Sequence, residues 1–141
     1  MTITTGMTMK TDTSKLQGYL AVVLEDGVTK AILRGLCKHP IQYCEHITLA
    51  FKPTQEVFDK YASMIDKLVD FDLVEIVCDD RAQAAVVFGL GLECENPIAH
   101  VTMSCAPGTK PFYSNELLKQ QAGRGQPLNI KGNGRVTFIQ F

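Results

Sequence analysis

Glu45-His46-Ile47-Thr48-Leu49-Ala50-Phe51 is the stretch that decides the fold, and Ala99-His100-Val101-Thr102-Met103-Ser104 repeats its pattern much later in the chain. In both stretches a histidine and a threonine alternate with apolar residues, which is the period-two pattern of a strand with one face on a core. The histidine and the threonine of each strand therefore point to the same side, and the apolar residues pack behind them. The pattern predicts two half-buried strands, each with a His-x-Thr motif.

The two motifs supply the side chains of an acid–base site that needs no metal. Imidazole titrates near neutrality. Either His46 or His100 can therefore take a proton from water while the other histidine gives a proton to a leaving oxygen. Thr48 and Thr102 can donate hydrogen bonds to the non-bridging oxygens of a phosphate, where negative charge gathers in the transition state. A single motif is more often a half-buried strand histidine. The chain has three histidines, however, and two of them occupy these matching contexts in opposite halves.

The pair of motifs resembles the 2H phosphoesterases, which are named for two His-x-Thr/Ser motifs on a duplicated fold. The resemblance extends from about Gly18 to the end of the sequence. After the second motif, Gly108-Thr109-Lys110-Pro111-Phe112-Tyr113-Ser114-Asn115-Glu116-Leu117-Leu118 and Pro127-Leu128-Asn129-Ile130-Lys131-Gly132 are similar to the cyclic phosphodiesterase domain of plant and fungal tRNA ligases. Phage anti-CBASS nucleases, which destroy cyclic oligonucleotide alarm signals, belong to the same superfamily. The resemblance implies four catalytic residues, His46, Thr48, His100 and Thr102, and two pseudo-symmetric lobes of antiparallel sheet with outer helices and an active cleft between the lobes.

The rest of the sequence predicts one α+β domain. Residues 1–15 are rich in Thr, Met and Lys without a sustained period and predict a flexible tail, and residues 16–141 predict a single domain. Turn residues and apolar periods divide this domain into strands and helices. The predicted elements are a strand over 17–25, a helix over 28–36, the first motif strand, a long helix from the N-cap Thr54 to Val69, strands over 72–78 and 84–92, the second motif strand, a helix from Pro111 to about Gln121, and a final hairpin turning at Gly132-Asn133-Gly134.

Composition and charge are those of an ordinary globular protein. Of the 141 residues, 45% are hydrophobic, which suffices for one compact core, and the net charge is -1. No apolar run approaches the roughly 20 residues that span a bilayer, and the polar start lacks the apolar centre of a signal peptide. We therefore expect a cytoplasmic protein without a membrane partner, in the host cytoplasm if the source is a virus. The basic excess that marks binding of long nucleic acids is also missing.

Two cysteines and two histidines close together in the sequence offer a metal site as an alternative. Cys37, His39, Cys44 and His46 are chemically suitable zinc ligands. Their spacing differs from the usual zinc patterns, and alternate residues of one strand need a turn to converge with the other pair. The cysteines form no CxxC pair and predict reduced thiols rather than disulfides. We therefore predict no metal and no cofactor.

Four further residues are candidates for substrate contact. Tyr19, on the first strand, could stack on a nucleobase or belong to the core. Tyr113 follows the second motif by a loop and, with the neighbouring Phe112, could close over a ligand or fix the helix that follows. Lys110 could meet a phosphate or remain an exposed loop lysine. Ser104 lies two residues beyond the motif threonine, on the predicted same face, and is a second-rank hydroxyl donor.

Three functions stay open at this point. An enzyme could hydrolyse a phosphodiester in a small cyclic nucleotide or a cyclic oligonucleotide, as the phage members of the superfamily do. It could instead open a 2′,3′-cyclic phosphate at an RNA 3′ end, as the tRNA ligase domain does. A protein without turnover could sequester a nucleotide, although two intact motifs favour catalysis. The missing basic excess favours the small cyclic substrate over a long RNA, and the sequence does not predict the oligomeric state.

Overall fold

The structure, a computed structural model, describes residues 14–141. The predicted tail of residues 1–15 lies outside the described residues except for its last two, and of these Lys15 forms an isolated β-bridge with Thr54. The described residues form seven strands, three α-helices and a short 3-10 helix. In chain order these are β1 (Gly18–Leu24), α1 (Gly27–Gly35), β2 (Ile41–Gln42), β3 (His46–Phe51), α2 (Gln55–Tyr61), the 3-10 helix Ala62–Met64, β4 (Leu68–Cys78), β5 (Ala82–Phe88), β6 (His100–Cys105), α3 (Tyr113–Gln121) and β7 (Gln126–Gln140).

Six of the strands close into an antiparallel ring. Each of these strands hydrogen-bonds to two neighbours, in the order β6, β3, β1, β7, β4, β5 and back to β6, and the short β2 pairs with β6 beside β3. The predicted antiparallel α+β fold is therefore confirmed. The division into two pseudo-symmetric lobes stays a prediction, because all the described strands belong to one hydrogen-bonded set.

The two faces of the strands carry different cores. On one face, the apolar residues of both motif strands pack with side chains from α1 and α2. The motif-strand residues Ile47, Leu49, Val101 and Met103 are fully buried there. A second, smaller cluster on the other side packs Leu117 and Leu118 of α3 against β4 and β5. The burial that the alternating pattern predicts is therefore observed in both motif strands, and the motif residues themselves face away from the main core.

Helix α2 is shorter than the sequence pattern predicts. The Thr54 hydroxyl accepts a backbone hydrogen bond as the expected N-cap, but the helix ends at Tyr61 instead of Val69. Asp66 has a left-handed backbone with a φ of 70°, and the chain then enters β4, where Val69 pairs with β7. Strand pairing thus overrides an apolar period that also suits a helix. No helix in the described part of the chain is long and apolar enough to cross a bilayer.

The last described element is one long strand, and the predicted hairpin at Gly132-Asn133-Gly134 is wrong. β7 continues through this segment without a turn, pairing with β4 over residues 126–135 and with β1 over residues 134–140. The glycines serve close packing rather than turning. A Cβ atom at Gly134 would lie 2.6 Å from the backbone oxygen of Val23. Glycine therefore lets β7 pass close to its neighbours.

Replacing Gly134 by alanine is expected to destabilise the protein by about 1 to 3 kcal/mol, because the new methyl group overlaps the Val23 carbonyl and paired strands must shift apart. Gly35, the last residue of α1, has nothing within 4 Å of an added Cβ atom. Gly35→Ala is therefore the matched control and should be neutral or slightly stabilising. Urea denaturation of both variants measures the difference in free energy of unfolding. Equal stability would show that β7 does not approach β1 this closely.

Candidate active site

The two motif strands are neighbours in the ring. Ile47 of β3 lies directly opposite Val101 of β6 in an antiparallel register. The same register places His46 opposite Thr102 and His100 opposite Thr48. Because Ile47 and Val101 are fully buried, the four motif side chains project from the opposite face. The structure thus brings together the four residues that are predicted as catalytic.

A kink at Cys44 separates β2 from β3 and lies beside the motif residue Thr102. Cys44 has a left-handed backbone with a φ of 56°, and its amide donates to the Thr102 carbonyl at 3.0 Å. β2 and β3 therefore run along the same side of β6, and β3 keeps its register with β6 at Ile47 and Val101. The pairing of β3 with β6 is therefore short, with Ile47 and Val101 as its paired position.

A cavity of about 760 Å³, the motif cavity, opens over the face that carries the motif residues. The lining includes the predicted residues Tyr19, His46, Thr48, His100, Thr102 and Lys110. Phe112, a candidate contact together with Tyr113, also lines the cavity, and the remaining lining residues are Tyr43, Glu45, Phe51, Asn96, Pro111 and Asn115. Sites for small ligands commonly have volumes of about 300 to 1,000 Å³. The motif cavity therefore has the size of a site for a compact ligand.

His100 is held in one tautomer by the backbone. Its Nδ1 lies 2.8 Å from the carbonyl oxygen of Ile98, and because a carbonyl oxygen only accepts, Nδ1 carries the proton of the neutral ring. Nε2 is then the nitrogen available to a ligand. His100 is 7% exposed, and this burial lowers its pKa, although the hydrogen bond to Ile98 partly offsets the effect. At neutral pH the free ring is therefore uncharged and able to accept a proton at Nε2.

His46 lies against an aromatic ring and beside a carboxylate. The centroid of its imidazole is 5.2 Å from that of Tyr19. Burial lowers the pKa of His46, Glu45 acts in the opposite direction, and His100 lowers it further. Glu45 is itself near Arg34, with 3.8 Å between carboxylate oxygen and guanidinium nitrogen, an exposed pair of small energetic weight. His100 lowers the pKa of His46 because two positively charged imidazoles in one cavity repel each other.

The two motif threonines differ in their hydrogen bonds. The Thr102 hydroxyl lies 2.9 Å from the Ser114 hydroxyl, at the start of α3, and donates to the Pro111 carbonyl at 3.5 Å. Ser114 is fully buried, so it fixes Thr102 against the helix. The Thr48 hydroxyl has no hydrogen-bond partner among the residues that the structure describes. Thr48 is thus the more available donor of the two.

Two predicted contact residues lie outside the motif cavity. Ser104 is fully buried, and its hydroxyl donates to the Gln83 side chain at 2.8 Å. An irregularity in the pairing of β5 with β6 beside Gln83 changes the direction of Ser104 relative to the motif face. The Tyr113 hydroxyl donates to Asp79 at 2.7 Å, and the Arg81 guanidinium lies 4.3 Å from the Tyr113 ring centroid. In this position Tyr113 contacts the turn between β4 and β5 rather than the motif cavity.

Several residues of the site gave no sequence signal. Phe51, Asn96 and Asn115 come from the end of β3, the loop before β6 and α3, and only the tertiary fold brings them together. Ser114 belongs to a helix that the sequence predicts, but its contact with the motif threonine depends on how α3 docks. Glu45 is the exception: it directly precedes the motif histidine His46 in the sequence, and this position could have predicted that it lies near the site.

The cysteines and histidines proposed as zinc ligands are separated by the fold. Cys37 and Cys44 are adjacent, with 3.6 Å between their Sγ atoms. His39, however, has its Nε2 2.9 Å from the carbonyl oxygen of Asp79, and His46 lies in the motif cavity. In the part of the chain that the structure describes, no group of three or more potential ligands is placed to hold a metal ion.

The pH dependence of catalysis should reflect the lowered pKa values of both motif histidines. A two-histidine mechanism needs one neutral ring and one protonated ring, so kcat/KM is greatest between the two pKa values. Because both lie below the ordinary value of 6.5, we expect the maximum below pH 6.5 and a decline at alkaline pH as the acid loses its proton. Bound phosphate favours the protonated rings, so the kcat profile should shift to higher pH. Steady-state kinetics across the acid and alkaline range measures both profiles.

Glu45→Gln provides a control for the cause of this pH dependence. The Glu45 charge raises the pKa of His46, so its removal should shift the kcat/KM profile to lower pH without abolishing catalysis. A kcat/KM maximum on the alkaline side of neutrality in the unmodified protein would contradict the two lowered pKa values.

Two histidines in one cavity, each opposite the threonine of the other motif, form the arrangement that the resemblance to the 2H phosphoesterases predicts. The family model of the fungal tRNA ligase phosphodiesterase domain matches residues 8–134, and the chain belongs to this family. The crystal structure of a fungal RNA kinase has a similar fold, with a TM-score of 0.55 and 16% sequence identity over 95% of this chain and 46% of that one. This chain thus spans less than half of that structure, and the similarity concerns the fold alone. No curated protein sequence matches the chain.

Membership of this family confirms the resemblance to the 2H phosphoesterases that the two motifs and the segment after them indicate. The family is that of a phosphodiesterase domain.

Proposed function

We propose that this protein hydrolyses a phosphodiester bond in a small cyclic nucleotide or a cyclic oligonucleotide, with His46 and His100 as the acid–base pair. The observation that carries the proposal is the motif cavity, in which both motifs line one space of about 760 Å³. A compact nucleotide suits a space of this volume. The motif cavity would be the cleft between two pseudo-symmetric lobes, each lobe contributing one motif strand.

The charges around the motif cavity favour a compact substrate. Its lining holds one lysine, Lys110, and one carboxylate, Glu45. A protein that binds a long RNA neutralises many phosphates with basic residues, and its affinity falls steeply with salt. A lining with a single lysine can engage few phosphates. Most of the binding free energy would then come from the scissile phosphate and the bases.

In the proposed reaction a water molecule attacks phosphorus, a new P–O bond forms, and the bond from phosphorus to a ribose oxygen breaks. One histidine accepts the proton of the water, and the other donates a proton to the leaving oxygen. The Thr48 and Thr102 hydroxyls donate to the non-bridging oxygens. Tyr19 would stack on a base. These steps need no metal ion, because the two imidazoles supply both the acid and the base.

Opening of a 2′,3′-cyclic phosphate at an RNA 3′ end is the alternative. Membership of the tRNA ligase phosphodiesterase family supports this reaction as well as it supports hydrolysis of a small cyclic substrate. The same four motif residues would serve both reactions. A sequestering protein without turnover is the third candidate, and the intact pair of motifs weighs against it. We place the reaction in the cytoplasm, or the host cytoplasm for a viral protein, since the five free cysteines suit a reducing compartment.

A panel of substrates tests the proposal. Nucleoside 2′,3′-cyclic phosphates, cyclic dinucleotides, cyclic trinucleotides and RNA with a 2′,3′-cyclic end are compared by kcat/KM at two salt concentrations, with and without EDTA. We expect at least one compact substrate to be hydrolysed as efficiently as the RNA, with a shallow salt dependence and no effect of EDTA. A strong preference for the RNA with steep salt dependence would favour the RNA-end reaction. Loss of activity in EDTA that a divalent ion restores would overturn the metal-free mechanism.

A further inference from the structure

Two exposed phenylalanines and a lysine form a shelf at the mouth of the motif cavity. Phe51, at the end of β3, is 53% exposed and Phe141 is 64% exposed, although phenylalanine is among the residue types most often buried. Their ring centroids are 5.7 Å apart. The Lys52 Nζ atom lies 5.7 Å from the Phe51 centroid and 5.8 Å from the Phe141 centroid. This aromatic shelf, Phe51, Lys52 and Phe141, therefore combines two ring surfaces with one positive charge.

An unusual backbone conformation puts Lys52 on the shelf. Successive residues of a regular strand point to opposite faces, so Lys52 would ordinarily point away from Phe51. Lys52 instead has a left-handed backbone with a φ of 46°, which is uncommon for a residue with a side chain, and its amide donates to the Gly18 carbonyl at 2.9 Å. This conformation places the Lys52 ammonium near the ring of Phe51. No carboxylate among the described residues forms an ion pair with Lys52, so the charge is available to an anion.

The aromatic shelf is continuous with the motif cavity. Phe51 lines the cavity. Phe141 lies 6.0 Å from Tyr19, and Tyr19 lies 5.2 Å from His46, measured between ring centroids. Aromatic rings thus extend without interruption from the motif histidine to the protein surface. A ligand that extends one nucleotide beyond the scissile phosphate in this direction meets the shelf rather than open solvent.

We propose that the aromatic shelf binds a second nucleobase of the substrate and that Lys52 contacts the phosphate next to that base. This inference rests on the proposed function and narrows its substrate to oligonucleotides, cyclic or linear, over single nucleotides. Aromatic rings stack on any base, because every base has a π-face, and such stacking changes affinity by about 5- to 150-fold per base. The unpaired ammonium of Lys52 complements the charge of the phosphate that links two nucleotides.

Substrates with one base and with several bases distinguish an effect on the aromatic shelf from an effect on the acid–base residues. Phe51→Ala, Phe141→Ala and Lys52→Met are compared with the unmodified protein on a nucleoside 2′,3′-cyclic phosphate, which has one base, and on a cyclic dinucleotide and a short RNA with a cyclic end. We expect the preference for the multi-base substrates, taken as the ratio of kcat/KM values, to fall by about 5-fold or more in each phenylalanine variant. Lys52→Met should lower the same ratio and flatten its salt dependence.

Phe88→Ala is the matched control for these variants. Phe88, on β5, is 68% exposed and does not line the motif cavity, so its removal should leave the ratio of kcat/KM values unchanged. An unchanged ratio in Phe51→Ala and Phe141→Ala would overturn the inference. An equal fall of kcat/KM on one-base and multi-base substrates would also overturn it, because the residues would then serve the motif cavity as a whole.

A direct binding measurement distinguishes failure of the shelf from failure of the proposed reaction. The chain contains no tryptophan, so the fluorescence of 2-aminopurine can be followed without overlap. The fluorescence of a phosphorothioate-linked dinucleotide that contains 2-aminopurine should be quenched on titration with the unmodified protein and with Phe88→Ala. Titration with Phe51→Ala should quench it much less. Quenching without hydrolysis of any panel substrate would support the shelf and refute the reaction. No quenching by the unmodified protein, or equal quenching by Phe51→Ala, would refute the shelf.

Discussion

Replacing either His46 or His100 by alanine is expected to lower kcat by about 10²- to 10⁴-fold, since general acid and general base catalysis each contribute about this much. KM should change much less, because the hydroxyls, Lys110 and the aromatic rings that are proposed to contact the substrate are left in place. The kcat of the double variant should be only slightly lower than that of the less active single variant, because the two rings act as a unit. Single-turnover kinetics on the best substrate of the panel measures the chemical step.

His39→Ala is the matched control for both substitutions. His39 is the third histidine of the chain, and its Nε2 lies 2.9 Å from the Asp79 carbonyl oxygen, outside the motif cavity. This variant should keep a kcat close to that of the unmodified protein. If His46→Ala or His100→Ala also kept such a kcat, the two-histidine mechanism would be wrong for this protein.

Thr48→Val is expected to have the next largest effect. Valine has nearly the shape of threonine, so the substitution removes the hydroxyl and leaves the packing of β3. Loss of one hydrogen-bond donor to a transition-state oxyanion lowers kcat by about 10²- to 10³-fold, and the Thr48 hydroxyl is free to act as that donor. Thr102→Val should have an equal or smaller effect, because the Thr102 hydroxyl must first leave the Ser114 hydroxyl, 2.9 Å away.

Thr137→Val controls for the change of residue type. The Thr137 hydroxyl on β7 donates to the Arg135 carbonyl at 3.0 Å, and Thr137 does not line the motif cavity. A fall in kcat with unchanged KM in Thr48→Val would indicate a contact made in the transition state, whereas a rise in KM alone would indicate substrate binding. Equal activity of Thr48→Val and Thr137→Val would remove Thr48 from the catalytic set.

Local sequence was sufficient to predict the motif residues of the site. Side chains alternate strictly along a strand, so burial of Ile47 and Val101 decides where the neighbouring histidines and threonines point. Two half-apolar strands of this kind bury their apolar faces most readily in one sheet. The N-cap at Thr54 was predicted for an equally local reason, since its hydroxyl bonds within its own helix.

Contacts between distant segments decided the features that the sequence pattern did not predict. Val69 continues the apolar period of α2, yet it pairs with a strand from the far end of the chain. The glycines of β7 resemble a turn, because turns and close strand packing both require residues without side chains. Ser104 was assigned to the motif face by strict alternation, and the irregular pairing beside Gln83 breaks that alternation. None of these partners is adjacent in the sequence.

The pairing of β1 with β7 has a consequence for how the protein folds. These are the first and last strands of the described chain, and they pair from Gly18 with Gln140 to Leu24 with Gly134. Contacts between such distant residues form slowly, because the entropy of closing a long loop is lost before the contacts stabilise the chain. During synthesis, a nascent chain that still lacks β7 would present unpaired edges of β1 and β4, which favour aggregation. The protein would therefore acquire its closed ring and its protection from aggregation together, when β7 pairs with β1 and β4.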